Sequence, residues 1–461
     1  MTARFTEAEV ASFYASGDNV ERCFGDLGGY LHWGYFPESV SSELTDLVRA
    51  CERWNEYMLT RTQITSQSRV LDVGCGNGNT AIWLARQTGC EVVGIDISAG
   101  CIERCRQQSE EEPSLRLHFE RGSATDLPFE SGSFTHVWSQ AALFHLADRP
   151  RGFQEIQRVL QENGIFVFDD LVMATESGSS TQQNLRDRLR SNAISNTRED
   201  IELLAQLGLV VLEKVDLSSH LKKSYEILLR EGGSQLTPLA ECAREVMAAI
   251  DRREMGWWFY QCQKISDRLP WIHDNKTTEE LRKKYDAWAP IYDADLEKSW
   301  VMPTHAVHLL QEVCPDREIR ILDAGAGTGK VGEALAKLGY KNITAFDLSE
   351  EMLEVARKKQ VYTALYPANL EEPLTFCDRE IFDAIAAIGV FTYGHASPAG
   401  LSNLLPLLKP GGIFIVTVRA SNQPMQTAFE QLSWQLIRKQ NYGFDNETFY
   451  VLAYKKIDLL D

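Results

Sequence analysis

The sequence predicts an α/β fold, built twice in one chain of 461 residues. Two observations carry that expectation. Residues 70–98 (VLDVGCGNGNTAIWLARQTGCEVVGIDIS) and 321–349 (ILDAGAGTGKVGEALAKLGYKNITAFDLS) repeat one another without a gap, 251 residues apart. Asp72, Gly74, Gly76, Gly78, Asp96 and Ser98 fall on Asp323, Gly325, Gly327, Gly329, Asp347 and Ser349, and further on Phe134 and Gly164-Ile165-Phe166 fall on Phe382 and Gly412-Ile413-Phe414 at an offset of 248. Solenoid repeats recur every ~20–50 residues, so copies this far apart are whole domains. In addition, each copy alternates short apolar strands with helical patterns, which argues a parallel sheet.

In the N-terminal copy, Arg69–Val73 reads as a strand, Thr80–Gln87 as the start of a helix and Glu91–Ile95 as the next strand. His136–Ser139 and Ile165–Phe168 are later strands. The C-terminal equivalents are Arg320–Ala324, Val331–Leu338, Ile343–Phe346, Ala384–Ile388 and Ile413–Val418. Gly256–Tyr260 and Thr448–Leu452 are aromatic and β-rich, and each reads as a closing strand. The boundary lies near Ser266–Lys276, where Leu269-Pro270-Trp271 is expected to block a helix, and Thr277 with Glu280 then forms a capping box. The domains are therefore 1–270 and 277–461. The longer first domain has a largely helical insertion near 203–253, around a strand at Val210–Glu213, which is either a cap over the site or a peripheral addition.

Composition narrows the function. With 44% hydrophobic and 24% charged residues the chain is ordinary globular protein. Its 47 Lys+Arg against 65 Asp+Glu give a net charge of -18, which disfavours nucleic-acid backbones and anionic membranes as partners. The ten cysteines form no CxxC pair and no metal pattern, no leader-like apolar segment opens the chain, and no apolar run of ~18 residues spans a bilayer. A soluble, reduced, cytoplasmic protein acting on a small molecule, with no obligatory protein partner and no metal, is expected.

A strand ending in Asp, alternating glycines, a helix, a second strand and a terminal acid make a nucleotide site. Glycines admit close backbone approach, the helix start favours an anionic group, and the second acid accepts from ribose hydroxyls. The dinucleotide pattern would need a third glycine at Asn79 or Lys330, and Gly329-Lys330-Val331 fails the phosphate-loop pattern.

The doubled D-x-G-x-G-x-G resembles motif I of class I S-adenosylmethionine-dependent methyltransferases. The resemblance implies two Rossmann-like domains in tandem, each a mostly parallel seven-stranded sheet flanked by helices, with one S-adenosylmethionine per domain. By that resemblance Asp72, Gly74, Gly76, Asp96 and Ile97 hold the cofactor in the first domain, and Asp323, Gly325, Gly327, Asp347 and Leu348 in the second. Gly122–Phe129, with Ser123 and Ala124, resembles the adenine-contacting segment, and Asn369-Leu370 is its weaker counterpart. Phe134–Gln140 and Phe382–Ile388 resemble the family's fourth strand, whose end, at Gln140 in the first copy, would face the methyl group. Gln161-Glu162-Asn163-Gly164 replaces the family's usual Pro-Gly-Gly, which the C-terminal copy keeps at 410–412.

Leu31-His32-Trp33-Gly34-Tyr35-Phe36 resembles the H-x-G-Y segment of small-molecule methyltransferases, sarcosine/dimethylglycine enzymes among them. Tyr14, Trp33 and Tyr35 are candidates for a cofactor contact, for a cage around an alkylated ammonium, or for core packing. His145 is a candidate base or a structural histidine. Lys284–Asp293 (KYDAWAPIYD) resembles the opening of Williams–Beuren-region methyltransferase-like proteins, a resemblance that runs through most of residues 281–461, with Tyr285 and Tyr292 the candidates to cover the cofactor. Tyr393, at the position of His145, and His395 are candidate substrate contacts. Arg419 is a candidate clamp for a substrate carboxylate or one half of a surface ion pair. The expected activity is methylation of a small molecule by two domains, with successive N-methylation of an amino acid or amine toward a betaine-type product as the sharper form. O-, S- or C-methylation, or one catalytic domain beside a binding module, are the alternatives.

Overall fold

The computed structural model describes residues 4–15, 29–37, 45–173, 180–192, 196–232, 237–297, 302–391, 396–432, 434–444 and 447–457. The chain divides into two compact units, Met1–Ser266 and Asp267–Asp461. Each carries one seven-stranded sheet.

The first unit contains β1 (Arg69–Val73), β2 (Glu91–Asp96), β3 (Leu117–Arg121), β4 (Phe134–Gln140), β5 (Leu160–Met173), β6 (Leu209–Asp216) and β7 (Met255–Lys264). Their order is β3-β2-β1-β4-β5-β7-β6. The first five run parallel, and β7 inserts antiparallel between β5 and β6. The second unit repeats this with β8 (Arg320–Ala324), β9 (Asn342–Asp347), β10 (Ala364–Pro367), β11 (Phe382–Phe391), β12 (Leu408–Arg419), β13 (Trp434–Phe444) and β14 (Glu447–Lys456), ordered β10-β9-β8-β11-β12-β14-β13. The order in which strands are added reverses between β1 and β4, and between β8 and β11. Ligands of open α/β sheets sit at that switch point, outside the carboxyl ends of the strands.

Central strands are apolar on both faces because helices cover both. Val70, Trp138 and Phe259 belong to one core layer, and Leu71, Val137 and Phe168 to the other. The helices start where the sequence offers caps. Ser98 and Ser349 accept from the amides of Cys101 and Met352 at 3.3 and 3.1 Å, opening Ala99–Glu110 and Glu350–Lys358. Such caps contribute about 1 kcal/mol each. Thr277 caps Thr278–Trp288 through the Glu280 amide at 3.1 Å, while the Glu280 carboxylate accepts from Lys276 at 3.0 Å.

Three expectations are corrected. Pro270 does not block a helix: it lies in the first turn of Arg268–His273, where no intrahelical amide bond is lost, and Asp267 caps that helix. The strand inside the 203–253 stretch is no part of a cap, because β6 pairs with β7 as the sheet edge. Helices Ser218–Gly232 and Thr237–Asp251 pack on each other and on β7. The aromatic strands β7 and β14 are therefore interior to their sheets, which explains their apolar content. The turn without Pro-Gly-Gly keeps its geometry: Asn163 takes φ 62° where Gly411 takes 73°. Asparagine tolerates this left-handed region better than most residues. No helix among the described residues is long and apolar enough to cross a membrane.

Candidate active sites

Each glycine loop is tied to the strand beside it by the same set of hydrogen bonds. In the first unit the amides of Gly74 and Cys75 donate to the Ile95 carbonyl at 2.8 and 3.1 Å. The Gly76 amide donates to Asp96 Oδ2 at 3.0 Å, and Ser98 to its Oδ1 at 2.8 Å. In the second unit Gly325 and Ala326 donate to Phe346 at 2.9 and 3.0 Å, Gly327 to Asp347 Oδ2 at 2.7 Å and Ser349 to Oδ1 at 2.9 Å. Gly76 and Gly327 take φ of 54° and 55°, a region glycine enters without strain. Gly74 and Gly325 leave no room for a side chain. A Cβ there would stand 2.5 Å from Ala142 Cβ or from Val390 Cγ2.

The acids are perturbed alike. Burial, with the Asp96 charge beside it, pushes Asp72 up to about 7; burial pushes Asp323 to about 7, and Asp96 and Asp347 to about 6. One carboxylate oxygen of Asp72 and one of Asp323 are buried without a hydrogen-bond partner among the described residues. The other Asp323 oxygen accepts from the Tyr362 hydroxyl at 2.7 Å.

The cavities differ in size. That of the first unit holds about 100 Å³ and is lined by Tyr14, Leu31, Gly76, Asp96, Gln140 and His145 among others. That of the second holds about 500 Å³ and is lined by Tyr285, Tyr292, Gly327, Asp347, Asn369 and Arg419 among others. In the first unit the amino-terminal segment lies against the loop. Asn77 and Asn79 side chains donate to the Gly29 carbonyl, which seats Leu31 over Gly76.

His145 ends the turn Leu143–His145 at the carboxyl side of β4. Its Nδ1 lies 3.0 Å from the Arg190 carbonyl and its Nε2 2.7 Å from the Tyr14 hydroxyl. A carbonyl only accepts, so the partners assign the proton to Nδ1 and leave Nε2 to accept from Tyr14. Burial lowers the imidazole to about 4, keeping it neutral. Gln140 is held by Thr80 Oγ1 at 3.0 Å and donates to Asn55 at 2.9 Å. Ile97 and Ala124 line the cavity. The Ser123 hydroxyl donates to Glu7 instead. Tyr35 is not brought to the cavity. Its amide bonds Ala50 O at 2.8 Å, and its ring lies among Trp54, Tyr57 and His220. Trp33 is likewise turned into the core against Trp257.

In the second unit Tyr285, Tyr292, Leu348, Asn369, Leu370 and Arg419 all line the cavity. The Arg419 guanidinium lies 5.5 Å from the Phe449 ring centre. Tyr393 and His395 lie outside the described residues.

Residues 71–168 match one family described as a methyltransferase domain, and residues 295–459 match a second with the same description. A (+)-O-methylkolavelool synthase from Herpetosiphon aurantiacus is 30% identical over 219 residues, 47% of this chain and 76% of the relative. The chain belongs to the S-adenosylmethionine-dependent methyltransferases. A glycine/sarcosine/dimethylglycine N-methyltransferase from Actinopolyspora halophila is 33% identical over 245 residues, 51% of this chain and 43% of that protein. Among solved structures, a geranyl diphosphate methyltransferase bound to GPP and sinefungin covers 56% of this methyltransferase and 99% of itself at 18% identity, with a TM-score of 0.50; it supports the fold alone. The C-terminal match is described as a methyltransferase domain only, and it does not show the likeness of residues 281–461 to Williams–Beuren-region proteins.

The residues of this methyltransferase fit the cofactor. The unpartnered oxygens of Asp72 and Asp323 need a donor, which an ammonium supplies, and the space over Gly327 is open to 4 Å. When bound, S-adenosylmethionine supplies an electrophilic methyl carbon. Asp96 and Asp347 would hold its ribose.

Several site residues escaped the sequence reading. Asp293 accepts from Thr328 Oγ1 and pairs with Lys359 at 2.6 Å, and Asp286 accepts from Ser349 at 2.6 Å. The opening segment is therefore moored by its aspartates as well as packed by its tyrosines. Both aspartates stand in the YDAWAPIYD motif, so the signal was present. Arg149, buried between Asp170 and Asp200 at 2.5 and 2.9 Å, had no local signal. Asp170 also accepts from the Phe144 amide at 3.1 Å, next to His145.

Proposed function

We propose that both halves are S-adenosylmethionine sites, one cofactor each, and that the chain is a bifunctional small-molecule methyltransferase. The N-terminal half methylates the nitrogen of an amino acid or amine, in successive steps toward a betaine-type product. The observation that carries the two-site reading is the doubled bond set from Gly76 to Asp96 and from Gly327 to Asp347. The N-methyltransferase relative supports the nitrogen acceptor.

Nitrogen acceptors must shed a proton, and His145, which lines the cavity, offers its Nε2 lone pair once Tyr14 releases it. The same lone pair would activate a hydroxyl, which favours O-methylation as the second reading; the relative named for an O-methylated product agrees with it.

Calorimetric titration of S-adenosylhomocysteine into the full chain tests the first part. Two sites are expected, with Asp96→Ala removing one and Asp347→Ala the other. A single site in the unsubstituted chain contradicts the proposal and makes one half a binding module. Glycine, sarcosine and dimethylglycine, assayed by S-adenosylhomocysteine release, test the acceptor. Turnover of hydroxylated compounds alone supports the second reading.

A further inference from the structure

One hydrogen bond recurs in both units although the side chains that make it are unlike. In the first unit Ala141 follows the end of β4 with φ 49°, a left-handed conformation that strains an alanine. Its amide donates to Asp169 Oδ1 at 3.1 Å, and Asp169 lies opposite Gln140 in the register of β4 on β5. In the second unit Gly389 takes φ 78°, and its amide donates to Thr417 Oγ1 at 2.7 Å. Ala141 and Gly389, and Asp169 and Thr417, both stand at the offset of 248.

Asp169 and Thr417 are fully buried on β5 and β12. The residue after each held amide closes on the glycine loop. Ala142 Cβ and Val390 Cγ2 each lie 2.5 Å from the point that a Cβ on Gly74 or Gly325 would occupy. Ala141 and Ala142 line the first cavity, and Gly389 and Val390 the second, whereas Asp169 and Thr417 line neither. The bond therefore acts from behind, on backbone that faces the loop. Other support differs between the units. Asp169 also accepts from the indoles of Trp54 and Trp257, both at 2.8 Å. Asp170 holds the Phe144 amide at 3.1 Å, and Val418 takes its place in the second unit. What the two units share is the bond to the left-handed residue.

We infer that Asp169 and Thr417 are positioning residues: each holds the amide of Ala141 or Gly389 and so keeps Ala142 or Val390 set against the glycine loop when the cofactor binds. This rests on the reading of both halves as cofactor sites. Without the bond, nothing in the backbone of an alanine favours the left-handed region, and the wall can move off the loop. The binding-competent fraction then falls, and affinity falls with it. Neither side chain touches a reacting atom.

Threonine and valine have the same shape and differ in a hydroxyl, so the pair isolates the bond. Asp169→Thr and Asp169→Val both leave the two indoles without their acceptor, but only threonine offers an oxygen to the Ala141 amide. In the full chain carrying Asp347→Ala, S-adenosylhomocysteine is expected to bind Asp169→Val about 10-fold more weakly than Asp169→Thr. A role exerted through the indoles alone would weaken both alike. In the full chain carrying Asp96→Ala, Thr417→Val should bind about 10-fold more weakly than the chain with Thr417 in place, and Thr417→Ser should restore the affinity. Amide hydrogen exchange over 138–145 and 386–391 should quicken in each valine variant beyond its hydroxyl-bearing partner. Equal affinity in Asp169→Thr and Asp169→Val, an unchanged affinity in Thr417→Val, or a Thr417→Ser variant as weak as Thr417→Val each overturns the inference alone. If the Asp169 variants do not fold, the Thr417 series decides it. Failure of S-adenosylhomocysteine to bind the chain carrying only Asp347→Ala or only Asp96→Ala overturns the cofactor reading of the half left intact, and the inference for that half with it.

Discussion

Leu31 stands over Gly76, its Cδ1 2.8 Å from the point a Cβ on that glycine would occupy, while the same point on Gly327 has nothing within 4 Å. The two glycines share a backbone conformation, so the contrast comes from the segment laid across the first loop. Leu31 lines the cavity there, so a ligand laid on that loop meets its side chain. Leu31→Ala is therefore expected to tighten S-adenosylhomocysteine binding at the N-terminal site by about 3- to 10-fold, by enlarging the binding-competent fraction. Titration in an Asp347→Ala background reads this site by itself. Unchanged affinity would mean that the side chain yields at no cost.

Ligand binding should strengthen with pH. Asp72 and Asp323 ionise near 7 and Asp96 and Asp347 near 6, all raised by burial from about 3.9. A raised carboxyl stabilises the fold below about pH 4, and that contribution is lost as pH rises through 6–7. The cofactor's ammonium and ribose hydroxyls are donors and need the ionised form. Affinity for S-adenosylhomocysteine should therefore rise from pH 5.5 to 7.5, by up to about 10-fold per unit for each controlling carboxyl. Calorimetry at constant ionic strength checks the sign, and a flat or falling trend contradicts it.

The second site can be separated from the first by Tyr362. Its hydroxyl donates to Asp323 at 2.7 Å and accepts from the Gly332 amide at 3.2 Å. The bond to Asp323 stabilises the carboxylate. Tyr362→Phe removes it, so Asp323 should ionise at higher pH. The pH midpoint of binding at the C-terminal site should move up with the N-terminal site unmoved. A loss of affinity equal at every pH would assign Tyr362 to packing alone.

Arg149 is a matter of stability. It is buried with Asp170 and Asp200, and removing it strands two carboxylates away from water. Arg149→Met is expected to cost the first unit about 3–5 kcal/mol, read from urea unfolding followed by fluorescence. Asp170 anchors the Phe144 amide, so the turn bearing His145 should loosen too.

The doubled frame is legible in the sequence because each of its parts has a local chemical signature. Left-handed turns favour glycine, second strands end in an acid, and Ser98 and Ser349 cap the helices that follow. Side-chain direction has no such signature. Tyr35 sits in a family-like motif, yet the bond from its amide to Ala50 turns the ring onto Trp54 and Tyr57. Arg149 meets Asp200 across 51 residues, a pairing no spacing rule announces. Asn163 carries the left-handed turn that the family gives to glycine, so a departure in sequence leaves the geometry in place.

His145 decides between chemistry and support. Its Nδ1 proton is committed to the Arg190 carbonyl, so only Nε2 can take a proton, and Tyr14 occupies it. Burial lowers the imidazole to about 4, against the Arg190 carbonyl, which raises it; a donor on the Nε2 lone pair likewise favours the neutral ring. If His145 is the base, activity needs the neutral ring and is lost as pH falls through its pKa. Tyr14→Phe removes the donor, raises that pKa and should move the acid limb of the pH–rate profile upward. His145→Gln should lower kcat with sarcosine by about 10²-fold and leave the affinity for S-adenosylhomocysteine in place. An unmoved acid limb in Tyr14→Phe, together with near-normal kcat in His145→Gln, would make the histidine a support for Tyr14. The acceptor nitrogen would then lose its proton to solvent, and positioning alone would account for the transfer.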